Sequence, residues 1–117
     1  MVQMTVQLSD ELAERCKSVG PWLSTIIELS LAGFRTPASA TASEVIDFLF
    51  SNPSPGELID FHVSESAQLR LRRLLALNEA GTLSDSEQAE LDELQRLEHI
   101  IIMLKTRSQK QAVRNDQ

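Results

Sequence analysis

The sequence has few aromatic residues and only one cysteine. Aromatic side chains make up 4% of its 117 residues, with four Phe, one Trp and no Tyr, so aliphatic side chains must supply most of the core. The single cysteine, Cys16, excludes a disulfide within the chain and fits a reducing cytoplasm. It lies on the apolar face of a predicted helix, so we interpret it as a core residue and not as a reactive thiol.

Long apolar runs and targeting signals are also missing. No stretch approaches the roughly 20 apolar residues that a membrane-spanning helix needs. No basic region followed by an apolar stretch predicts a signal peptide. We therefore expect a cytoplasmic protein with no membrane partner. A chain of 117 residues, 42% of them hydrophobic, is long enough for one small domain with a modest core.

The charge is acidic overall but changes sign along the chain. The formal net charge is −6, which gives no general attraction to nucleic acid, so any DNA binding must depend on local geometry. The end of the sequence is basic instead, with Lys105, Arg107, Lys110 and Arg114 against Asp116. We interpret residues 108–117 as a flexible basic tail that either keeps this end hydrated or reaches an acidic site on a partner.

The sequence shows no arrangement of catalytic, metal-binding or cofactor-binding residues. It has no glycine-rich phosphate loop, no Cys or His pair at metal-ligand spacing and no nucleophile motif. His62 and His99 are isolated. The acidic cluster of residues 87–98 is typical of a solvated helix face, in which Asp92 and Arg96 form an i, i+4 pair. We therefore predict a protein that is not an enzyme and binds no cofactor.

In the first part of the chain, the spacing of the apolar residues changes at Ser9. Apolar and polar side chains alternate through residues 2–8, which is typical of a strand with two different faces. From Ser9, a good N-cap, the period lengthens to that of a helix reaching about residue 19. After a Gly-Pro break, a second helix is predicted over about residues 22–33.

A single strand cannot satisfy its own backbone hydrogen bonds, and the rest of the sequence offers no second one. We therefore predict that two copies pair their strands antiparallel as a ribbon, which makes the protein a homodimer. The side chains at this dimer interface are Val2, Met4, Val6 and Leu8. The side chains on the outer face are Gln3, Thr5 and Gln7. Such a ribbon fits the DNA major groove, although a solvated polar face is an equally good interpretation of the alternation.

The order strand, helix, turn, helix within residues 2–34 resembles the ribbon-helix-helix family of repressors and antitoxins. The stretch VQLSDELAER, residues 6–15, is similar to the strand-to-helix junction of that family. The resemblance implies a dimer that binds promoter DNA. The positions that it assigns to base contacts are Gln3, Thr5 and Gln7, and those that it assigns to phosphate contacts are Ser24 and Thr25.

The second predicted domain, residues 41–107, is helical and follows the first, residues 1–36, after a linker containing Pro37. Its helix starts are marked by N-cap residues or capping boxes at Thr41, Ser54, Ser64 and Ser84. The predicted helices cover about residues 43–51, 55–61, 65–80 and 85–107. A short loop joins the last two into an antiparallel hairpin.

This hairpin carries more apolar surface than its two arms can bury against each other. Residues 100–104 are apolar on every side of their helix, and Leu69 lies opposite the apolar stripe of its own arm. Either the two short preceding helices cover this surface, or a second protein does. On the second interpretation, the partner-binding residues are Leu69, Ile100, Ile102 and Met103.

Parts of this domain resemble a helical domain of small, mostly cyanobacterial proteins that look like antitoxins of toxin–antitoxin pairs. The similar stretches are SPGELI at residues 54–59, QLRLRRLL at 68–75 and the helix after GTLS at 81–84. The combined prediction is a mainly α protein with one N-terminal β-strand that pairs between chains, followed by a helical domain that binds and neutralises a small toxin. The alternative is a dimeric helical scaffold or adaptor without DNA binding, which the acidic balance favours.

Overall fold

Six α-helices follow one another along residues 1–115, the part of the chain that the computed structural model describes. They are α1 Asp10–Ser18, α2 Leu23–Leu31, α3 Ala38–Phe50, α4 Pro55–Ile59, α5 Glu65–Glu79 and α6 Asp85–Asn115, and a 3-10 turn, Gly20–Trp22, joins the first two. This agrees with the predicted mainly α class. None of these helices is long and apolar enough to cross a membrane. Asp116 and Gln117 of the predicted tail lie outside the described residues.

The predicted N-terminal strand is wrong. Residues 1–9 adopt no regular secondary structure, and the chain forms no strand anywhere between residues 1 and 115, so the ribbon that the sequence predicts is not present. An alternating segment becomes a strand only when another strand accepts and donates its backbone hydrogen bonds. The second predicted helix packs within the chain, because Ile26 and Leu29 of α2 are buried in its core.

Local capping residues set the helix starts at several points, as the sequence predicts. Ser9 accepts a hydrogen bond from the backbone N–H of the third residue of α1. Ser54 forms both halves of a capping box with Glu57 at the start of α4. Ser84 and Glu87 form the same reciprocal pair at the start of α6. There the hydrogen bond donated by the Ser84 backbone lowers the pKa of the Glu87 carboxyl.

The predicted capping box at Thr41 is wrong, because α3 begins about one turn earlier. Its first residue is Ala38, whose N–H donates a hydrogen bond to the Thr36 hydroxyl at 3.1 Å. Thr41 therefore lies inside the helix. Glu44, the predicted second half of the box, instead reaches the start of α5. It accepts hydrogen bonds from the backbone N–H and the hydroxyl of Ser64 at 2.7 and 2.9 Å.

Helix α6 is shared by two hydrophobic clusters. The first joins α2, α3 and α4 to α6, and its buried residues are Val19, Trp22, Ile26, Leu29, Ala42, Val45, Leu49, Leu58, Leu97, Ile100 and Leu104. The second joins α5 and the start of α3 to α6, and its buried residues are Ala38, Leu74, Leu91 and Leu94. The first cluster contains residues of both predicted domains. It also shows that the chain itself covers Ile100, which is 8% exposed.

The last helix is longer than the sequence predicts. It continues past residue 107 to Asn115, so residues 108–115, predicted as a flexible tail, are helical. The start of this extension lies against the body of the protein. Ser108 continues the buried stripe one turn after Leu104, and the Lys105 ammonium donates a hydrogen bond to the Phe61 carbonyl at 2.7 Å.

Candidate functional site

The N-terminal arm, which we define as residues 1–18, has no role in the core. No residue of α1 is buried, and every residue before it is exposed. Its one aromatic contact places the Arg15 guanidinium 5.4 Å from the centre of the Phe50 ring. The exposed apolar side chains of the arm are Met1, Val2, Met4, Val6, Leu8 and Leu12, of which Val2 is 88% and Met4 84% exposed. The arm therefore presents apolar surface that the rest of residues 1–115 leaves uncovered.

The predicted DNA contacts are only partly accessible. Gln3, Thr5 and Gln7 lie on the N-terminal arm and are exposed, but no ribbon holds them at a fixed spacing. Ser24 is exposed near the start of α2. Thr25 is only 5% exposed, because it lies on the side of α2 that packs against α6. Thr25 therefore offers little surface for a phosphate contact.

A shallow groove between α2 and α6 brings together residues that the sequence assigned to different partners. Its lining consists of Thr25, Glu28, Ile100, Met103, Leu104 and Arg107. Ile100 forms the floor and is covered by the chain, whereas Met103 is exposed at the rim. The cavity volume is about 20 Å³, close to the space that a single water molecule needs, so this groove is a surface feature and not a ligand pocket.

The other predicted partner-binding residues do not share one surface. Leu69 is exposed on α5, whose neighbouring Arg70 contacts α6 at Glu90. Ile102 is exposed on α6 and lies about 18 Å beyond Glu90 along the helix axis, since each helical residue adds about 1.5 Å. The apolar surfaces around Leu69 and Ile102 are therefore separate features.

The ion pair between α5 and α6 fixes the geometry of the hairpin. Arg70 Nε and Nη2 donate to the two carboxylate oxygens of Glu90 at 2.8 and 2.9 Å, a two-pronged contact. Glu90 is 4% exposed, so removal of Arg70 would leave a buried carboxylate without its ion-pair partner. The hydrogen bond to Glu90 raises the pKa of Arg70.

A second carboxylate, Glu93, holds the linker between α2 and α3 against α6. It accepts hydrogen bonds from the Arg35 N–H at 3.0 and 3.1 Å, and from the N–H and hydroxyl of Thr36 at 3.1 and 2.8 Å. Burial raises the pKa of Glu93 and is the largest single influence on it. The hydrogen bonds from Arg35 and Thr36 together outweigh burial, so the pKa is lowered.

The same contact reaches the start of α3. The Thr36 hydroxyl donates to Glu93 and accepts from the Ala38 N–H, so the carboxylate on α6 orients the cap of α3. Sequence reasoning placed Glu93 on a solvated face and missed this role. Its partners are 57 and 58 residues away in the chain, and no local pattern marks such a pairing.

Comparison with known proteins adds no assignment to these surfaces. Within residues 1–115, no group of three or more His, Cys, Asp or Glu side chains could hold a metal ion. The resemblances to ribbon-helix-helix proteins and to small cyanobacterial antitoxins stay predictions from the sequence. The chain matches no protein-family model, no curated protein and no solved structure.

Proposed function

We propose that this protein is antitoxin-like and binds a small partner toxin, which it neutralises by covering part of the toxin's surface. The antitoxin class rests on the sequence resemblance. The observation that carries the binding role is the N-terminal arm, whose apolar side chains are exposed although the rest of the described chain packs two hydrophobic clusters around α6. Clustered apolar side chains that a folded chain leaves in water are typical of an interaction surface.

The arm has enough apolar surface to drive association. Full burial of a Val, Leu or Met side chain contributes about 1.5–3 kcal/mol, and the arm exposes six such residues before position 13. Ordering an extended segment on a partner subtracts part of this gain. The net charge of −6 speeds the approach of a basic toxin, such as a nuclease that holds RNA.

The proposal includes no promoter recognition by a strand ribbon, because residues 1–9 form no strand. It places the protein in the cytoplasm, where the lone Cys16 stays reduced. A helical adaptor that binds a partner without neutralising a toxin is the second candidate. The burial of Thr25, one of the predicted phosphate contacts, favours it.

The test uses the full chain co-expressed with the small protein encoded by the adjacent gene. Met4→Asp combined with Val6→Asp places two charges on the apolar positions of the arm. Gln3→Asp combined with Gln7→Asp adds the same charge to neighbouring polar positions and is the matched control. We expect the first variant to bind at least 100-fold more weakly and to lose neutralisation, since two buried side chains contribute about 3 kcal/mol or more.

These substitutions should not change the stability of the fold, because the arm contributes no residue to either hydrophobic cluster. Both variants should unfold at the wild-type temperature. Wild-type binding and neutralisation by the Met4→Asp, Val6→Asp variant would refute the assignment of the arm. Binding by the wild-type chain without rescue of growth would favour the adaptor.

A further inference from the structure

A row of basic side chains runs along one exposed face of α6. The basic strip, as we define it, consists of Arg96, Arg107, Lys110 and Arg114. At 100° per residue these four positions fall within about 60° of the helix circumference, and His99 and Met103 lie on the same face. All six side chains are exposed. The strip extends over about 27 Å at 1.5 Å per residue.

Three of the strip's cations, Arg107, Lys110 and Arg114, form no hydrogen bond or ion pair within the described residues, whereas Arg96 donates a hydrogen bond to the Ala32 carbonyl at 3.4 Å. The salt bridge found within residues 1–115 is that of Arg70 with Glu90, so no carboxylate there lies within 4.0 Å of Arg107 or Lys110. This is notable in a chain with 17 acidic residues. Lys105, on another side of α6, is different, because its ammonium is bound to a backbone carbonyl.

Favourable interaction with the helix dipole explains only one of these cations. Positive charge stabilises the C-terminal end of a helix, but the effect falls off within the last turn. Arg114 lies in the last turn of α6, whereas Lys110 and Arg107 lie before it. Two cations in the middle of the strip therefore have no structural role of this kind.

The acidic residues of α6 lie at its other end. Residues 85–98 contain six acidic residues and one basic residue, whereas residues 99–114 contain four basic residues and no acidic one. Charges separated by more than about 8–10 Å are largely screened at physiological salt. The field around Arg107, Lys110 and Arg114 is therefore positive although the protein is acidic overall, whereas Arg96 lies among the acidic residues. Glu28 of α2 lies across the groove from Arg107, beyond ion-pair distance.

We propose that the basic strip binds the phosphate backbone of a nucleic acid. A linear array of cations matches a linear polyanion, and over 27 Å one strand offers a charge about every 3.4 Å of helix axis, more phosphates than the strip has cations. An acidic protein partner fits less well, because protein interfaces need a buried apolar centre and Met103 is the one apolar side chain on this face. Contacts to phosphate alone carry no sequence preference.

The test measures the fluorescence anisotropy of a labelled 20-base-pair DNA duplex of arbitrary sequence and of a 20-nucleotide single-stranded RNA, titrated with the full chain. For the duplex, three phosphate contacts predict a slope of about −2.7 in log affinity against log salt. Affinity should then fall about 40-fold between 50 and 200 mM salt. Arg107→Gln with Lys110→Gln should weaken binding at least tenfold and reduce the slope to about −1.

The matched control is Arg72→Gln with Arg73→Gln, which makes the same change in net charge at exposed positions on α5 and should bind as the wild type does. Equal loss in both variants would show that overall charge, and not the strip, governs binding. Absence of saturable binding at 50 mM salt would refute the proposal. So would displacement by polyglutamate as effective as that by unlabelled duplex, which would indicate an acidic protein partner.

Two further variants separate loss of nucleic-acid binding from loss of stability and from loss of toxin binding. If the paired substitution lowers the unfolding temperature, Arg114→Gln alone tests the strip, with an expected reduction of the salt slope by about 0.9. The inference is independent of the proposed toxin binding. The Met4→Asp, Val6→Asp variant should bind nucleic acid normally, so either proposal can fail while the other holds.

Discussion

Replacing Glu93 by Gln tests whether one carboxylate on α6 holds the start of α3 in place. Three donors, the N–H groups of Arg35 and Thr36 and the Thr36 hydroxyl, converge on it. Gln keeps one acceptor oxygen for Thr36 but turns an NH₂ group towards the Arg35 N–H. A hydrogen bond to a charged group contributes about 1.5–3 kcal/mol. Because this group is only partly buried, we expect a loss of about 1.5–2 kcal/mol at pH 7.

The loss should depend on pH in a defined direction. The pKa of Glu93 in the folded protein is lower than its ordinary value of 4.5. Its stabilisation is therefore complete above pH 4.5 and is lost as the pH falls through the folded pKa. The difference in unfolding free energy between wild type and Glu93→Gln should stay constant near neutrality and shrink below about pH 4.5.

The assay is urea unfolding followed by the fluorescence of Trp22, the single tryptophan of the chain, which is buried in the first cluster. In thermal unfolding, the midpoint of Glu93→Gln should fall by about 6–8 °C relative to wild type, at about 4 °C per kcal/mol. Glu98→Gln, an exposed carboxylate on the same helix, is the control and should change stability by less than about 0.5 kcal/mol. Wild-type stability of Glu93→Gln at pH 7, or a difference that persists unchanged at pH 3, would contradict the argument.

Two further substitutions test the packing around α6. Leu74→Ala should cost about 2–5 kcal/mol in urea unfolding because this side chain is fully buried in the second cluster, whereas Leu69→Ala on the exposed side of α5 should cost less than about 0.5 kcal/mol. Similar losses at the two positions would contradict the burial pattern. Ser108→Ala should leave the thermal midpoint unchanged or raise stability by up to about 1 kcal/mol, because within residues 1–115 the buried hydroxyl has no hydrogen-bond partner. A clear loss would show that the hydroxyl is bonded.

Helix starts could be predicted where the cap and the helix are adjacent in sequence. Ser54 and Ser84 form their capping boxes with residues three positions later, and a local pattern contains all the information needed. Thr41 has the same local pattern but no such role. Helix α3 begins at Ala38 instead, whose N–H donates to the Thr36 hydroxyl, and that hydroxyl is oriented by Glu93 from a distant helix. A local sequence pattern can therefore indicate several possible start positions for a helix, but it cannot show which one the folded protein uses.

The N-terminal arm shows why alternation alone is a weak predictor. Period two predicts a strand only if a neighbouring strand is available, and the arm has none within the described chain. The sequence also could not show that α3, α4 and α6 cover the apolar face of α2, because the cluster is formed by residues up to 85 positions apart, Val19 and Leu104.

The exposed surfaces could be predicted only in part. Leu69, Ile102 and Met103 are exposed, whereas Ile100, in the same uniformly apolar stretch as Ile102 and Met103, is buried. The sequence showed that this stretch needed covering on several sides. It did not show which side the two short preceding helices would leave open. The basic strip needed the length of α6, since its last cations fall in residues predicted as a flexible tail.

The sharing of α6 by both clusters affects how the protein is made in the cell. Leu91, Leu94, Leu97, Ile100 and Leu104 close the two clusters, and all of them are synthesised after the helices that they cover. Ribosomes add about 5–20 residues per second, so the interval between Leu31 and Leu104 lasts about 4–15 s. Until α6 has been synthesised, the apolar faces of α2, α3 and α4 lack their main packing partner. A nascent chain is therefore exposed to chaperones and proteases for seconds, and its abundance is decided during synthesis as well as by the stability of the finished fold.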